Sequence, residues 1–256
     1  MPKTPLLLVD LDDVLSQTNA AAAKWHNETF GTHMVLSDFH YYHWWQNPGW
    51  GDASQVIAKA QMFYKSHDFL HATPVLGAVE SMKVLKHKTY RLAIVTTRSI
   101  TLRKETLAWV DTWFPDVFEN IYFSGDFVVS KDDSHHGNIE KRLSKGEICR
   151  QLSASLLIDD SVENVLGCTN TSTGSTPALL FGDYEWGKRS SNAETAEDMM
   201  SFSERQQHEV SSGRHPEWWK EEIIHLPEGV WRVRNWLEVL LWLQKSGKSI
   251  VNSHGA

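Results

Sequence analysis

Two carboxylates one residue apart, Asp10 and Asp12, follow directly on four apolar residues, Leu6-Leu7-Leu8-Val9. Later apolar runs end in Thr96-Thr97-Arg98 and in Asp159-Asp160, and Lys145 stands in the sequence Ser144-Lys145-Gly146-Glu147. Two anions this close are unfavourable unless a cation or a shared proton compensates them. Mg²⁺ takes one or two carboxylates together with waters and a phosphate oxygen. A lysine at a helix N-terminus, among free backbone N–H groups, favours an anion. The set therefore suits a magnesium ion and a phosphate, with Thr96 and Lys145 on the remaining phosphate oxygens. Taken alone, Asp10-x-Asp12 is equally compatible with a solvated acidic turn, since Asp is a common turn former.

These side chains meet only if the elements carrying them run the same way. Leu6–Val9, Arg91–Thr96, Ile121–Phe123, Ser155–Ile158 and Ala178–Phe181 are short apolar runs of the kind buried on both faces of a parallel sheet. Helical patterns over 17–30, 54–65, 77–88 and 101–113 lie between them, and Ser144 with Glu147 makes a capping box for a further helix. Gly31 is placed to end the first helix. Strands alternating with helices predict an α/β fold with a doubly wound parallel sheet, whose ligands bind at the carboxyl ends of the strands. No strand pattern appears between Ser16 and Thr73, so residues 16–73 are expected to form a helical cap inserted after the first strand. The core then comprises 1–15 and 74–245, with a polar insertion over 188–215 that is either a weak surface helix or a mobile segment, an apolar closing helix over 236–243 and a frayed tail over 246–256.

The chain has 256 residues, 41% of them apolar and 22% charged, which fits a soluble globular protein with a sizeable core. A net charge of −7 argues against a nucleic-acid polymer as partner. No apolar run reaches transmembrane length, and the residues before the first strand are too few for a signal peptide, so no membrane partner is expected. Two cysteines, Cys149 and Cys168, make a disulfide framework unexpected and suit a cytoplasmic location.

The three polar strand ends and the lysine, in this order, resemble the haloacid dehalogenase (HAD) superfamily of phosphohydrolases. Asp10-Leu11-Asp12-Asp13-Val14 matches its first motif, Thr96 its second, Lys145 its third and Asp159-Asp160 its fourth. Asn27-Glu28-Thr29-Phe30-Gly31, Thr96-Thr97-Arg98, Ile158-Asp159-Asp160-Ser161 and Phe181-Gly182-Asp183-Tyr184-Glu185-Trp186 look like the 5′(3′)-deoxyribonucleotidase branch. The resemblance spans residues 5–186. It implies Mg²⁺-dependent hydrolysis of a small phosphorylated metabolite, such as a nucleoside monophosphate, through an aspartyl-phosphate. It implies Asp10 as nucleophile, Asp12 as general acid and base, and Thr96 and Lys145 on the phosphoryl group. It implies Asp10, Asp12 through its carbonyl, and Asp160 around the metal, with Asp159 a ligand through water or an orienting group. Asp13 departs from the pattern, because many relatives have Gly there.

Other features have competing readings. Lys131 is the alternative motif lysine, although its loop lacks a helix cap. His135-His136 reads as a solvated pair rather than a metal site, and His40 and His43 as surface or pocket-edge residues. Arg98 is expected either on the substrate phosphate or against a helix carboxylate. The aromatics from Phe39 to Trp50 are either the small core of the insertion or a stacking surface for a flat substrate, for which Tyr41, Trp44, Trp45 and Trp50 are considered, with Thr97, Arg98, Trp44 and Trp45 the substrate-binding candidates. Trp218, Trp219, Trp231, Trp236 and Trp242 are expected to pack the closing helix. A dehalogenase needs no acid two residues after the nucleophile, which disfavours it. A phosphomutase, or a non-catalytic phosphate-binding protein keeping the fold, remains compatible with the residues.

Overall fold

The computed structural model describes residues 4–88, 90–124, 143–169, 175–191 and 193–252. Lys131 and the expected polar loop over 130–138, with His135 and His136, lie outside the described residues. Six parallel strands form one sheet in the order β3-β2-β1-β4-β5-β6. They are β1 (Leu6–Val9), β2 (Arg91–Thr96), β3 (Ile121–Phe123), β4 (Leu156–Asp159), β5 (Ala178–Phe181) and β6 (Val230–Val233). β1 lies at the centre, with Val9 in register with Ile94 of β2 and Ile158 of β4. The chain moves outward from β1 to β2 and β3, then returns to β1's other side with β4. Two loops leaving a sheet in opposite directions open a crevice at the carboxyl ends of β1 and β4, and this is where Asp10 and Asp160 emerge.

Alternate side chains enter two cores, as a pleated strand requires. Leu7, Val9, Leu92, Ile94, Leu156 and Ile158 face one side, packed with α4 (Ala78–His87), α5 (Arg103–Trp113) and α9 (Trp236–Asn252). Leu6, Leu8, Ala93, Val95, Leu157 and Leu180 face the other, against α6 (Lys145–Gln151) and α7 (Val162–Thr169). Cys149 and Cys168, free and buried, belong to this second core.

Between β1 and β2 the described residues contain no strand; the segment is built on α1 (Thr18–Phe30), α2 (Ala53–Phe63), α3 (His67–Leu70) and α4, with short 3-10 turns at Leu36–Asp38 and Trp44–Gln46. Gly31 ends α1 in a left-handed conformation, φ 65°, which a residue without Cβ adopts at little cost. The insertion has its own apolar cluster, including Ala22, Trp25, Phe39, Trp50, Phe63 and Phe69. Trp50 and Tyr41 are buried, so of the four aromatics considered for stacking these two are packing residues.

Two features, β6 and the packing of Trp218 and Trp219, differ from the sequence expectation. β6 is a sixth strand on the sheet's edge, and its four residues, Val-Trp-Arg-Val, form neither an unbroken apolar run nor an alternation that would mark a strand. In the polar segment, read as either a weak surface helix or a mobile insertion, α8 (Phe202–Ser211) is a helix begun by a Ser201–Glu204 capping box. Its buried Glu209 pairs with Arg205 and Arg214, and Arg205 reaches Glu222 at 2.9 Å. Trp218 and Trp219 do not pack on α9; they join Tyr41 and Phe202 in a separate cluster, with the Tyr41 hydroxyl donating to Glu222. Trp231 packs on Trp242 and Trp236 on Phe181, as expected, and α9 continues through Asn252.

Candidate active site

The carboxylates are held by the turn that leaves β1. Asp13 takes φ 56°, a left-handed conformation that Asp tolerates better than most residues, and its N–H donates to the Ser16 carbonyl. The turn is pinned from below: Tyr184 Oη donates to the Asp13 carbonyl at 2.8 Å and Trp236 Nε1 to the Val14 carbonyl at 2.9 Å. Asp13 Oδ1 accepts from the Asn19 N–H at 3.0 Å, so its side chain caps α1, whose own N-cap Gln17 makes no side-chain cap bond. This accounts for a carboxylate at Asp13 without a solvent-facing role.

Asp10 is buried, and its Oδ1 accepts from the Leu11 N–H at 2.7 Å. Lys145, 1% exposed, lies 2.7 Å from both Asp10 Oδ1 and Asp159 Oδ2. The Ser144–Glu147 capping box fixes the first turn of α6 and so the origin of the lysine side chain. Burial disfavours the charged form of Lys145, but Asp10 and Asp159 outweigh it and hold the ammonium protonated, well above its ordinary pKa. Asp159 uses its other oxygen to accept from the Ser161 N–H and Asn164 Nδ2, both at 3.0 Å. Asp160 is different. Its Oδ2 accepts from Trp186 Nε1 at 2.7 Å, and its buried Oδ1 has no partner.

Five carboxylates, those of Asp10, Asp12, Asp13, Asp159 and Asp160, stand beside two cations, Lys145 and Arg98. Burial pushes Asp10 up to about 7 against the pull of Lys145, and burial reinforced by Asp10 and Asp159 pushes Asp160 well up. Asp12 moves the other way: burial opposes its ionisation, but Arg98 and Thr18 more than compensate, and its pKa is lowered. Oxygens of Asp10, Asp159 and Asp160 lie within 4.8 Å of one another. An excess of buried negative charge with one orphaned carboxylate oxygen is the donor set a hard divalent cation satisfies.

Thr96, fully buried at the end of β2, accepts from the Arg98 N–H at 3.1 Å. Thr97 is exposed on the rim, 3.3 Å from the Tyr42 hydroxyl. A cavity of about 210 Å³ opens beside the carboxylates, lined by Asp12, Asp13, Asp160, Thr18, Asn19, Thr97, Tyr42, His43, Trp44, Val56, Ala60 and Tyr64. Trp44 is held in that wall by stacking on Trp50 at 4.3 Å and by donating Nε1 to Asn19 at 2.9 Å. His43 is a pocket-edge residue, stacked on Trp45. Trp45 is not among the lining residues; its indole donates to the Asp198 carbonyl at 2.8 Å. Arg98 contacts neither a helix carboxylate nor the cavity: it forms an ion pair with Asp12 at 2.6 Å. Tyr42, Tyr184 and Trp186 were not singled out from the sequence as site residues. For Tyr184 and Trp186 the sequence signal is the resemblance of the 181–186 segment to the deoxyribonucleotidase branch.

Among solved structures, a HAD family hydrolase from Deinococcus radiodurans with bound phosphate and sodium aligns at TM-score 0.50 and 16% identity, covering 98% of each chain. The Bacillus subtilis protein YfnB, described as a HAD-hydrolase and bound to magnesium, aligns at TM-score 0.52 and 14% identity, covering 94% of this chain and 99% of its own. Similarity at this identity shows a shared HAD-like fold. No curated protein matches the chain. The sequence model of the family "5′ nucleotidase, deoxy (Pyrimidine), cytosolic type C protein" matches residues 4–149, which include Asp10, Asp12, Thr96 and Lys145. More than half of the sequence lies inside that match, so the chain belongs to this family of HAD superfamily nucleotidases.

Proposed function

We propose that the protein hydrolyses a small phosphomonoester, of the nucleoside monophosphate class, with Mg²⁺ and through an aspartyl-phosphate on Asp10. The observation that carries this reading is the buried Asp10–Lys145–Asp159 bridge beside the unpartnered Asp160 Oδ1. Lys145 neutralises part of the charge on Asp10 and aims it, while a second positive charge is still wanting. Asp10, Asp160 and the Asp12 carbonyl would hold the ion, with Asp159 orienting Lys145 and the α7 N-terminus. The ion would supply charge neutralisation that lets an anionic phosphate enter a carboxylate-rich site. The Asp10 carboxylate attacks phosphorus and the bond to the leaving oxygen breaks; Asp12, which Arg98 and Thr18 keep ionised in the free site, passes to that oxygen a proton it takes from the entering phosphate monoanion. Water then attacks the aspartyl-phosphate, loses its proton to Asp12, and releases phosphate with Asp10 restored. Thr96 and Lys145 bind the phosphoryl oxygens, and charge placement of this kind is most of what phosphoryl transfer requires.

The leaving alcohol would occupy the cavity, with Trp44 and Tyr42 as its aromatic walls and Thr97 on the rim. A cytosolic setting, as the family's description has it, agrees with two free cysteines. The test is phosphate release from a panel of nucleoside monophosphates, sugar phosphates and p-nitrophenyl phosphate, with Mg²⁺ and with EDTA. Mg²⁺-dependent release that favours nucleotides is expected. Absence of release from every compound would overturn the catalytic reading, and preference for a sugar phosphate would overturn the substrate class.

A further inference from the structure

The contacts of Arg98 give it a task that no motif assigns. Its Nε lies 3.1 and 3.0 Å from Asp12 Oδ1 and Oδ2, and its Nη2 donates to Oδ1 at 2.6 Å. Thr18 Oγ1 donates to the same Oδ1 at 2.5 Å. Both oxygens of the Asp12 carboxylate are therefore held, Oδ2 by Arg98 and Oδ1 by Arg98 and Thr18. The guanidinium is itself held from two directions. Nη1 donates to the buried Thr106 Oγ1 of α5 at 3.3 Å, and the ring of Phe69, in α3 of the insertion, lies 4.6 Å away. The segment carrying Phe69 is tied to the core nearby, where Trp109 Nε1 of α5 donates to the Ala72 carbonyl at 2.7 Å.

A carboxylate turns freely about its last torsion, because that rotation is broad rather than staggered. A two-pronged contact from a planar guanidinium fixes the plane, which the point charge of a lysine does not. We propose that Arg98 is the positioning residue for the acid–base carboxylate Asp12, and that Phe69 of the insertion completes its seat. Arg98 does not bind substrate; it holds Asp12 in the plane from which a proton passes to the leaving oxygen and later comes back from water. The helical insertion thereby takes part in proton transfer as well as in enclosing the site. This inference rests on the phosphatase reading above and on Asp12 being its acid.

The test compares Arg98→Met, Arg98→Lys and Phe69→Leu on two substrates, a nucleoside 5′-monophosphate and p-nitrophenyl phosphate. The nucleoside alkoxide needs a proton to depart and p-nitrophenolate does not. For Arg98→Met, kcat/KM on the nucleotide should fall about 10²-fold, the scale of general acid catalysis, and on p-nitrophenyl phosphate only a few-fold. On p-nitrophenyl phosphate kcat should drop together with KM, because Asp12 still has to activate water after phenolate has left. Arg98→Lys should not restore the nucleotide rate, and Phe69→Leu should show a smaller loss of the same pattern. Thermal unfolding monitors the fold; if Arg98→Met fails to fold, the lysine and Phe69 variants carry the same comparison. Equal losses on both substrates, or full rescue by lysine, would overturn the proposal. Absence of wild-type phosphate release would instead remove the phosphatase reading beneath it.

Discussion

The close approach of α6 to α7 can be probed with a single methyl group. Gly146 follows Lys145, and a Cβ added to it would sit 2.3 Å from the Gly167 carbonyl oxygen and 2.8 Å from its carbonyl carbon. Both obstacles are backbone, so no side chain can swing aside. Relief requires the two helices to part by about 1 Å in an interior packed to crystal-like density. Such overpacking costs about 1–3 kcal/mol. Replacing glycine by alanine in a helix returns at most about 1 kcal/mol. The net for Gly146→Ala is a loss of up to about 2 kcal/mol, or a fall in Tm of up to roughly 4–8 °C for a chain of this size.

The effect on activity should be larger, because the displaced helix carries Lys145, whose ammonium is held 2.7 Å from Asp10 and from Asp159. Misplacing a catalytic group by about 1 Å costs on the order of 10²-fold in rate. Gly167→Ala is the control: its added Cβ meets nothing within 4 Å, so the gain in helix propensity stands alone. It should raise stability by about 0.5–1 kcal/mol and leave phosphate release unchanged. Both variants need only thermal unfolding and kcat/KM. The reasoning is refuted if Gly146→Ala matches Gly167→Ala in Tm and activity, since α6 would then have room that the structure denies it.

Asp10→Asn should fold normally and lose turnover, because an amide is a poor nucleophile; beryllium fluoride should mark Asp10 in the wild type, and a label on another residue would sink the aspartyl-phosphate mechanism. Asp160→Ala should weaken Mg²⁺ binding, read by titration calorimetry, more than Asp159→Ala does, since Asp160 Oδ1 is unpartnered while Asp159 is occupied by Lys145, Ser161 and Asn164; the reverse order would mean the pair is assigned backwards. Trp44→Phe should raise KM for a nucleotide with little change on p-nitrophenyl phosphate, because it keeps a ring on Trp50 but gives up the Asn19 hydrogen bond and part of the cavity wall. Trp45→Phe should alter neither substrate's KM, and a nucleotide-specific effect there would show that the leaving group lies elsewhere.

Much of this arrangement is local enough to be written in the chain. β1 and β5 are uninterrupted apolar runs, and β2 is one between Arg91 and Thr96, because strands covered on both faces leave no place for polar residues. The Ser144–Glu147 box and the Gly31 cap are contacts between residues a few positions apart, so their geometry follows from spacing alone. A parallel sheet then obliges Asp10, Thr96 and Asp160 to share an edge. Contacts between distant segments carry no such pattern. The Arg98–Asp12 pair joins residues 86 positions apart, and the Tyr41–Glu222 bond joins residues 181 apart. Which of Trp44 and Trp45 faces the cavity depends on how the turn between α1 and α2 lies over the core, and adjacent tryptophans look alike in sequence. β6 went unread because an edge strand needs only one covered face and can be four residues long. Periodicity and capping record what each segment does with its own backbone; which side chains meet across the crevice is decided by packing, which only the folded chain displays.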